Sequence, residues 1–239
     1  MLSTNLNQII HFFLFQILPY VSISILITAS LLRGLLVPYS WKTQSSELIS
    51  QSHMKIASNL FHVGVLLLFG GHCVGLLTPA SWLSGIGLTP PIHQIVEIIM
   101  GGIAAILVMV GIFLFSKRRL TDFRVRAITR ASDWFVLSLL SLVVTFGIAC
   151  IVDAILYGRS GAIILLLGEW ARSLLSFHPE AWKLMINVPI WQKIHITVGL
   201  IILMSIPFTR LMHIWAGISL PWYLIRSTQI MRANNGESV

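Results

Sequence analysis

The chain has 239 residues, 56% of them hydrophobic and only 10% charged, with a mean hydropathy of +0.87. Too few charges remain to clothe a water-soluble domain, so the composition excludes one and points to an integral membrane protein. The net charge of +8 is gathered in particular loops, which reads as membrane topology and argues against nucleic-acid binding.

Five segments have the length of ~20 apolar residues that a helix needs to cross a bilayer: about 9–32, 59–79, 94–115, 134–157 and 190–215. Their long aliphatic runs exclude the shorter alternating strands of a membrane barrel. The expected fold class is therefore all-α, a five-transmembrane-helix bundle forming a single domain over 1–239. No Lys or Arg precedes the first segment, which is also longer than a signal-peptide core, so it is expected to be retained.

Cations collect on one side of this arrangement. Arg33, Lys42 and Lys55 follow the first segment, and Arg210, Arg226 and Arg232 lie at the C-terminal end. After the third come Lys117, Arg118, Arg119, Arg124, Arg126 and Arg130. The other side has none before Arg33 or between Pro79 and Gln94, and only Arg159, Arg172, Lys183 and Lys193 around the last long loop. Positive charge stays on the cytoplasmic side, which puts the N-terminus outside and the C-terminus in the cytoplasm.

The polar loop from Arg33 to Ser58 has room for a short helix. In the fourth connection, about 161–177, the apolar stretch "SGAIILLLGEWARSLLSF" is interrupted by Gly168, Glu169 and Arg172. It is expected to be an amphipathic helix lying on the outer face; the rival is a sixth span, which would put the C-terminus outside. The tail after Trp215 mixes aromatic, aliphatic and basic residues and suits the inner interface or a soluble partner. Trp82, Trp134, Trp191, Trp215 and Trp222 stand near segment ends as interfacial anchors. Cys73 and Cys150 lie in apolar spans without a CxxC, which argues against zinc, an iron–sulfur cluster or covalent haem in this chain.

Four histidines sit where hydrocarbon offers no hydrogen bond. On a helix His62 and His72 are ~15 Å apart and His195 and His213 ~27 Å apart, so neither pair holds one metal ion. The second segment runs outward and the fifth inward, which sets His72 opposite His195 near the outer face and His62 opposite His213 near the inner one. A haem with two axial imidazoles satisfies each level, and the unequal spacings then require tilt. The alternative is that each imidazole simply bonds a backbone carbonyl. Gly64, Gly70, Gly71, Gly75 and Gly199 would admit a macrocycle or close helix packing. Arg210, three residues before His213, is placed on the same helix face. It would meet a haem propionate or snorkel to the surface. Arg124 and Arg126 raise the same choice, with a soluble partner or anionic lipid as further options. Glu97 and Asp153, near outer span ends, are proton acceptors or wet interfacial residues. His11, His53 and His178 lack matched partners.

The motifs "SNLFHVG", "GGHCVGLLTP", "KRRL" followed by "RVRA", "WARSLLSF", "IHITVGL" and "PFTRLMHIW" occur in this order, from about Tyr39 to Arg232. Together they resemble the gamma subunit of membrane-bound respiratory nitrate reductase, a dihaem cytochrome b. The resemblance implies a prokaryotic cytoplasmic membrane and two non-covalent b haems, the outer on His72 and His195 and the inner on His62 and His213. It also implies quinol oxidation beside the outer haem, and electrons passing to an iron–sulfur beta subunit and then a molybdenum alpha subunit that reduces nitrate. Quinol would meet Gly71, His72 and His93, the last standing where family members carry a lysine; as cofactor neighbours the expectation names Gly64, Gly71, Gly199 and Arg210. Competing readings are the reverse electron path of a nitrite oxidoreductase, the dihaem subunit of another quinone-linked complex, and a membrane anchor or transporter without redox chemistry.

Overall fold

The computed structural model describes residues 2–36, 54–158 and 160–215. Lys42, His53, Arg159, Trp222, Arg226 and Arg232, and the expectations for the first connecting loop and the tail that involve them, lie outside those residues. Among the described residues the regular structure is helical, and five helices are long and apolar enough to cross a membrane. They cover Leu6–Leu36, Met54–Leu77, Pro90–Thr121, Ala131–Tyr157 and Ile190–Phe208, the first to fifth spans below.

Local chemistry sets the ends. The third span starts at Pro90, ahead of the expected 94, because proline needs no N–H partner in a first helical turn. The fourth closes on Gly158, whose left-handed φ of 49° lets its N–H reach back to the Ala154 carbonyl. In the loop between the third and fourth spans, Asp122 Oδ1 accepts from the backbone N–H groups of Arg124 and Val125 and starts the short helix Phe123–Ile128.

The fifth span departs from expectation. Its α-helix ends at Ser205, continues as a 3-10 turn over Ile206–Phe208, passes through extended Thr209, and turns again at Arg210–Met212. Pro207 has no N–H and its ring obstructs the preceding turn, so the helical ladder fails there. His195 and His213 are not on one continuous helix, and the rise of 1.5 Å per residue behind the ~27 Å spacing does not apply across the break.

With no hydrophobic effect to drive helices together in lipid, close approach depends on van der Waals packing and small residues. The second and third spans pack along one another through reciprocal notches. A Cβ on Gly64 would lie 2.6 Å from Val108 Cγ2, and one on Gly111 2.7 Å from Phe61 Cβ. Around this contact Ala105, Val108 and Ile112 join Leu137 and Val144 of the fourth span in one core cluster. The fifth span leans on the fourth and on the first. The second and fifth spans are not among the closely packed pairs.

The helix in the last long connection covers Ala162–Leu175, within the expected 161–177. At 14 residues it reaches ~21 Å, short of the ~30 Å hydrocarbon core, so it is not a sixth span. Trp170 and Leu174 are buried against Phe15, Ala181, Met185 and Val188. Trp170 Nε1 donates to the Phe15 carbonyl at 2.9 Å, and Tyr20 Oη donates to that of Leu174 at 2.8 Å. Arg172 Nη1 donates to the carbonyls of Leu76 and Thr78 at 3.1 and 3.2 Å, capping the second span.

Candidate functional site between the second and fifth spans

The four histidines meet in two pairs across the space that the second and fifth spans leave between them. The rings of His72 and His195 have centroids 6.0 Å apart at 24°, and those of His62 and His213 are 6.0 Å apart at 76°. The pairing is the one that opposite span directions dictate. Both levels form despite the unequal spacing in the chain, because the break at Pro207 redirects the segment that bears His213.

Each ring is fixed through Nδ1. His62 bonds the Ser58 carbonyl at 2.7 Å, with Ser58 Oγ also 3.2 Å away, and His72 bonds that of Leu68 at 2.6 Å. His213 bonds the Arg210 carbonyl at 2.8 Å. His195 differs, reaching across to the Val143 carbonyl of the fourth span at 2.8 Å. A carbonyl only accepts, so in every ring Nδ1 carries the proton and Nε2 keeps its lone pair. Among the described residues no hydrogen bond is made by any of these Nε2 atoms. The carbonyl bonds that had stood as the plain alternative are present, and they leave four metal-binding nitrogens unused. An N–H bonded to carbonyl with a free partner nitrogen is the usual state of a ligating imidazole.

The chemistry of this donor set decides what fits. Among the described residues no group of three or more His, Cys, Asp or Glu side chains converges on a metal position. A bare zinc ion wants three or four protein ligands and would be under-coordinated at either level. Two imidazoles on opposite sides of one metal, with bonds of ~2.0–2.1 Å, have ring centres roughly 6 Å apart. A macrocyclic metal centre supplies its remaining ligands itself, so each pair suits a haem.

The expected glycine neighbours separate into two groups. Added Cβ atoms on Gly70, Gly71 and Gly199 meet nothing within 4 Å, so open space adjoins both spans beside His72 and His195. Gly64 is different: its open face is filled by Ala104 and Val108 of the third span. That places it in the contact between the second and third spans.

Arg210 has a partner within the protein. It lies in a 3-10 turn and not on a helix face shared with His213, and its Nε pairs with Asp133 Oδ1 at 2.7 Å. A buried carboxylate there needs a cation, because an unpaired buried charge is costly. The resemblance contained no hint of Asp133, which stands in the first turn of the fourth span and also accepts from Arg130 N through Oδ2. Gly147 was missed too. A Cβ there would sit 3.1 Å from His195 Cε1, so the bare glycine is what lets that ring dock on the fourth span.

His93 stands close to the pair at the capped end. Its Nε2 lies 3.2 Å from where a Cβ on Gly75 would be, three residues past His72. Glu97 is exposed and opens a π-helical turn over Glu97–Gly101 in the third span; such turns often mark functional positions. Asp153 is buried, with Gln192 Nε2 3.4 Å from its Oδ2. His11 bonds the Asn7 carbonyl, and His178 Nδ1 accepts from Glu180 N, both away from the pairs. Cys73 and Cys150 are free thiols.

The chain is similar to known proteins along nearly its whole length. Residues 11–234 match the model of the family described as nitrate reductase gamma subunit. The chain is 34% identical over 229 residues to the respiratory nitrate reductase 1 gamma chain of Escherichia coli (strain K12), covering 95% of this chain and 100% of the relative. The respiratory nitrate reductase 2 gamma chain of the same organism is 33% identical, over 95% and 98% of the two chains. The nitrate reductase gamma chain of Bacillus subtilis (strain 168) is also 33% identical, over 92% and 96%. A match to nearly the whole family model, together with relatives covered almost end to end, means that the chain belongs to the nitrate reductase gamma subunit family.

Proposed function

We propose that this chain is the dihaem cytochrome b subunit of a respiratory nitrate reductase. It oxidises quinol at the end bearing His72, His195 and His93, and delivers the electrons to an iron–sulfur subunit at the basic end. That subunit passes them to a molybdenum subunit, which reduces nitrate. The observation that carries this reading is the set of four imidazoles, each with Nδ1 tied to a carbonyl and Nε2 spare, paired at 6.0 Å at two levels.

The whole chain acts as one membrane domain in a prokaryotic cytoplasmic membrane. Its N-terminus and the Ala162–Leu175 helix face outward, and Lys117 to Arg130 and the C-terminus face the cytoplasm, a reading that the charge distribution supports. His72 and His195 hold the outer haem, and His62 and His213 the inner one. Bound there, the haems supply one-electron carriers at two depths of the membrane.

Around them the protein's own groups do specific work. The carbonyls of Ser58, Leu68, Val143 and Arg210 fix the imidazole tautomers and raise their basicity. His93 offers an imidazole N–H to a quinol oxygen, and open space beside Gly71 admits the ring. Glu97 accepts a proton released as quinol is oxidised. Arg172 closes this end by holding the last carbonyls of the second span.

The test uses the assembled complex in membranes. Added quinol should reduce a b-type absorbance and nitrate should then reoxidise it, with His93→Ala slowing only the quinol step. Absorbance that dithionite reduces but quinol does not would overturn quinol oxidation. A complex with no b-type absorbance would favour a membrane anchor without redox chemistry.

A further inference from the structure

We propose that Asp133 is a positioning residue for His213, acting through the side chain and backbone of Arg210. The inference rests on the reading of His213 as a haem ligand and deepens it. His62 and His72 bond carbonyls four residues back on the unbroken second span, and His195 docks on the fourth span from within a regular helix. His213 stands past a break in its span, at the start of the helical residues 213–215. The ladder ends at Pro207, Thr209 is extended at φ −122° and ψ −176°, and the Arg210–Met212 turn is three residues long.

An ion pair joins the Thr209 hydroxyl, which accepts from Leu211 N, and the buried Met212 in holding the turn. Asp133, whose side chain is 3% exposed, binds Arg210 Nε at 2.7 Å. Its second oxygen is tied to Arg130 N at 2.9 Å, which anchors the carboxylate to the first turn of the fourth span. The Arg210 carbonyl in turn accepts the His213 Nδ1 proton at 2.8 Å. Arg33 Nη1 of the first span also donates to the Pro207 carbonyl at 2.5 Å and toward that of Thr209 at 3.4 Å. Removing the Asp133 charge takes away the carboxylate that binds Arg210 Nε, and the turn that aims the imidazole loses that anchor. Of the four imidazoles, His213 is the one whose orientation depends on a charge pair.

The experiment compares Asp133→Asn, Asp133→Glu and the neutral double variant Asp133→Asn with Arg210→Gln in the full complex. Haem per chain and the midpoint potential of each b-type signal are measured. The two signals are assigned with His213→Ala and His195→Ala. In Asp133→Asn the His62/His213 signal should shift in potential or disappear, halving the haem content when it disappears, while the His72/His195 signal keeps its wild-type potential. Asp133→Glu should restore the lower signal. The double variant keeps a neutral hydrogen bond and should accumulate even where the single variant does not, with the shift confined to the same level. Both signals unchanged in the variants, or both altered equally, would overturn the proposal. A wild-type complex with no haem would instead remove the reading on which it rests.

Discussion

Gly64 separates two accounts of the same residue. If it admits a macrocycle, Gly64→Ala removes the inner haem and leaves the protein folded. The structure says otherwise, because the new Cβ would lie 2.6 Å from Val108 Cγ2, 2.8 Å from the Ala104 carbonyl oxygen and 2.9 Å from Val108 N. Unbonded heavy atoms prefer ~3.5–4.0 Å, so the second and third spans must part by roughly 1 Å. Two of the three obstacles are backbone, so a rotamer change does not relieve them. Overpacking of this kind costs ~1–3 kcal/mol, about five- to more than a hundredfold in the folding equilibrium at tenfold per ~1.4 kcal/mol. Unfolding titrated with a denaturing detergent in micelles should show the loss, and the fraction still folded should keep both b-type signals. Wild-type stability with selective loss of the His62/His213 signal would refute the reasoning.

Gly147→Val should disturb the other level. Its side chain fills the space 3.1 Å from His195 Cε1 and breaks the bond to Val143, so the potential of the His72/His195 signal alone is expected to move; an unchanged potential would contradict the docking role. Arg172→Met deletes the donor to Leu76 and Thr78, at ~1.5–3 kcal/mol for hydrogen bonds from a charged group. Hydrogen exchange should quicken at the C-terminal end of the second span, and exchange as slow as in the wild type would count against the cap. His62→Ala and His72→Ala should each remove one b-type signal and spare the other, and loss of both signals from either variant would contradict independent levels.

The five spans were legible because crossing hydrocarbon demands length and apolarity, and the apolar stretch over about 161–177 that imitated them is interrupted by Gly168, Glu169 and Arg172. The pairing of His72 with His195 and of His62 with His213 followed from span direction alone. The break in the fifth span also had a signal, Pro207 inside an apolar run, yet the adjoining aliphatic residues masked it when the segment was extended to 215. Glycine has no such signature. Gly64 and Gly71 look alike in sequence, and only the neighbouring span shows that one meets Val108 and the other open space. Asp133 and Arg210 lie in different segments, so no local periodicity links them; the spacing to His213 pointed to Arg210 without its partner.

The most direct test of two haem sites between the second and fifth spans is haem b per chain in purified protein. It should be compared with the His72→Ala/His195→Ala and His62→Ala/His213→Ala double variants. The account predicts two haems in the wild type and one in each double variant, with a different signal surviving in each. No haem in the wild type, or two haems retained in either double variant, would contradict it.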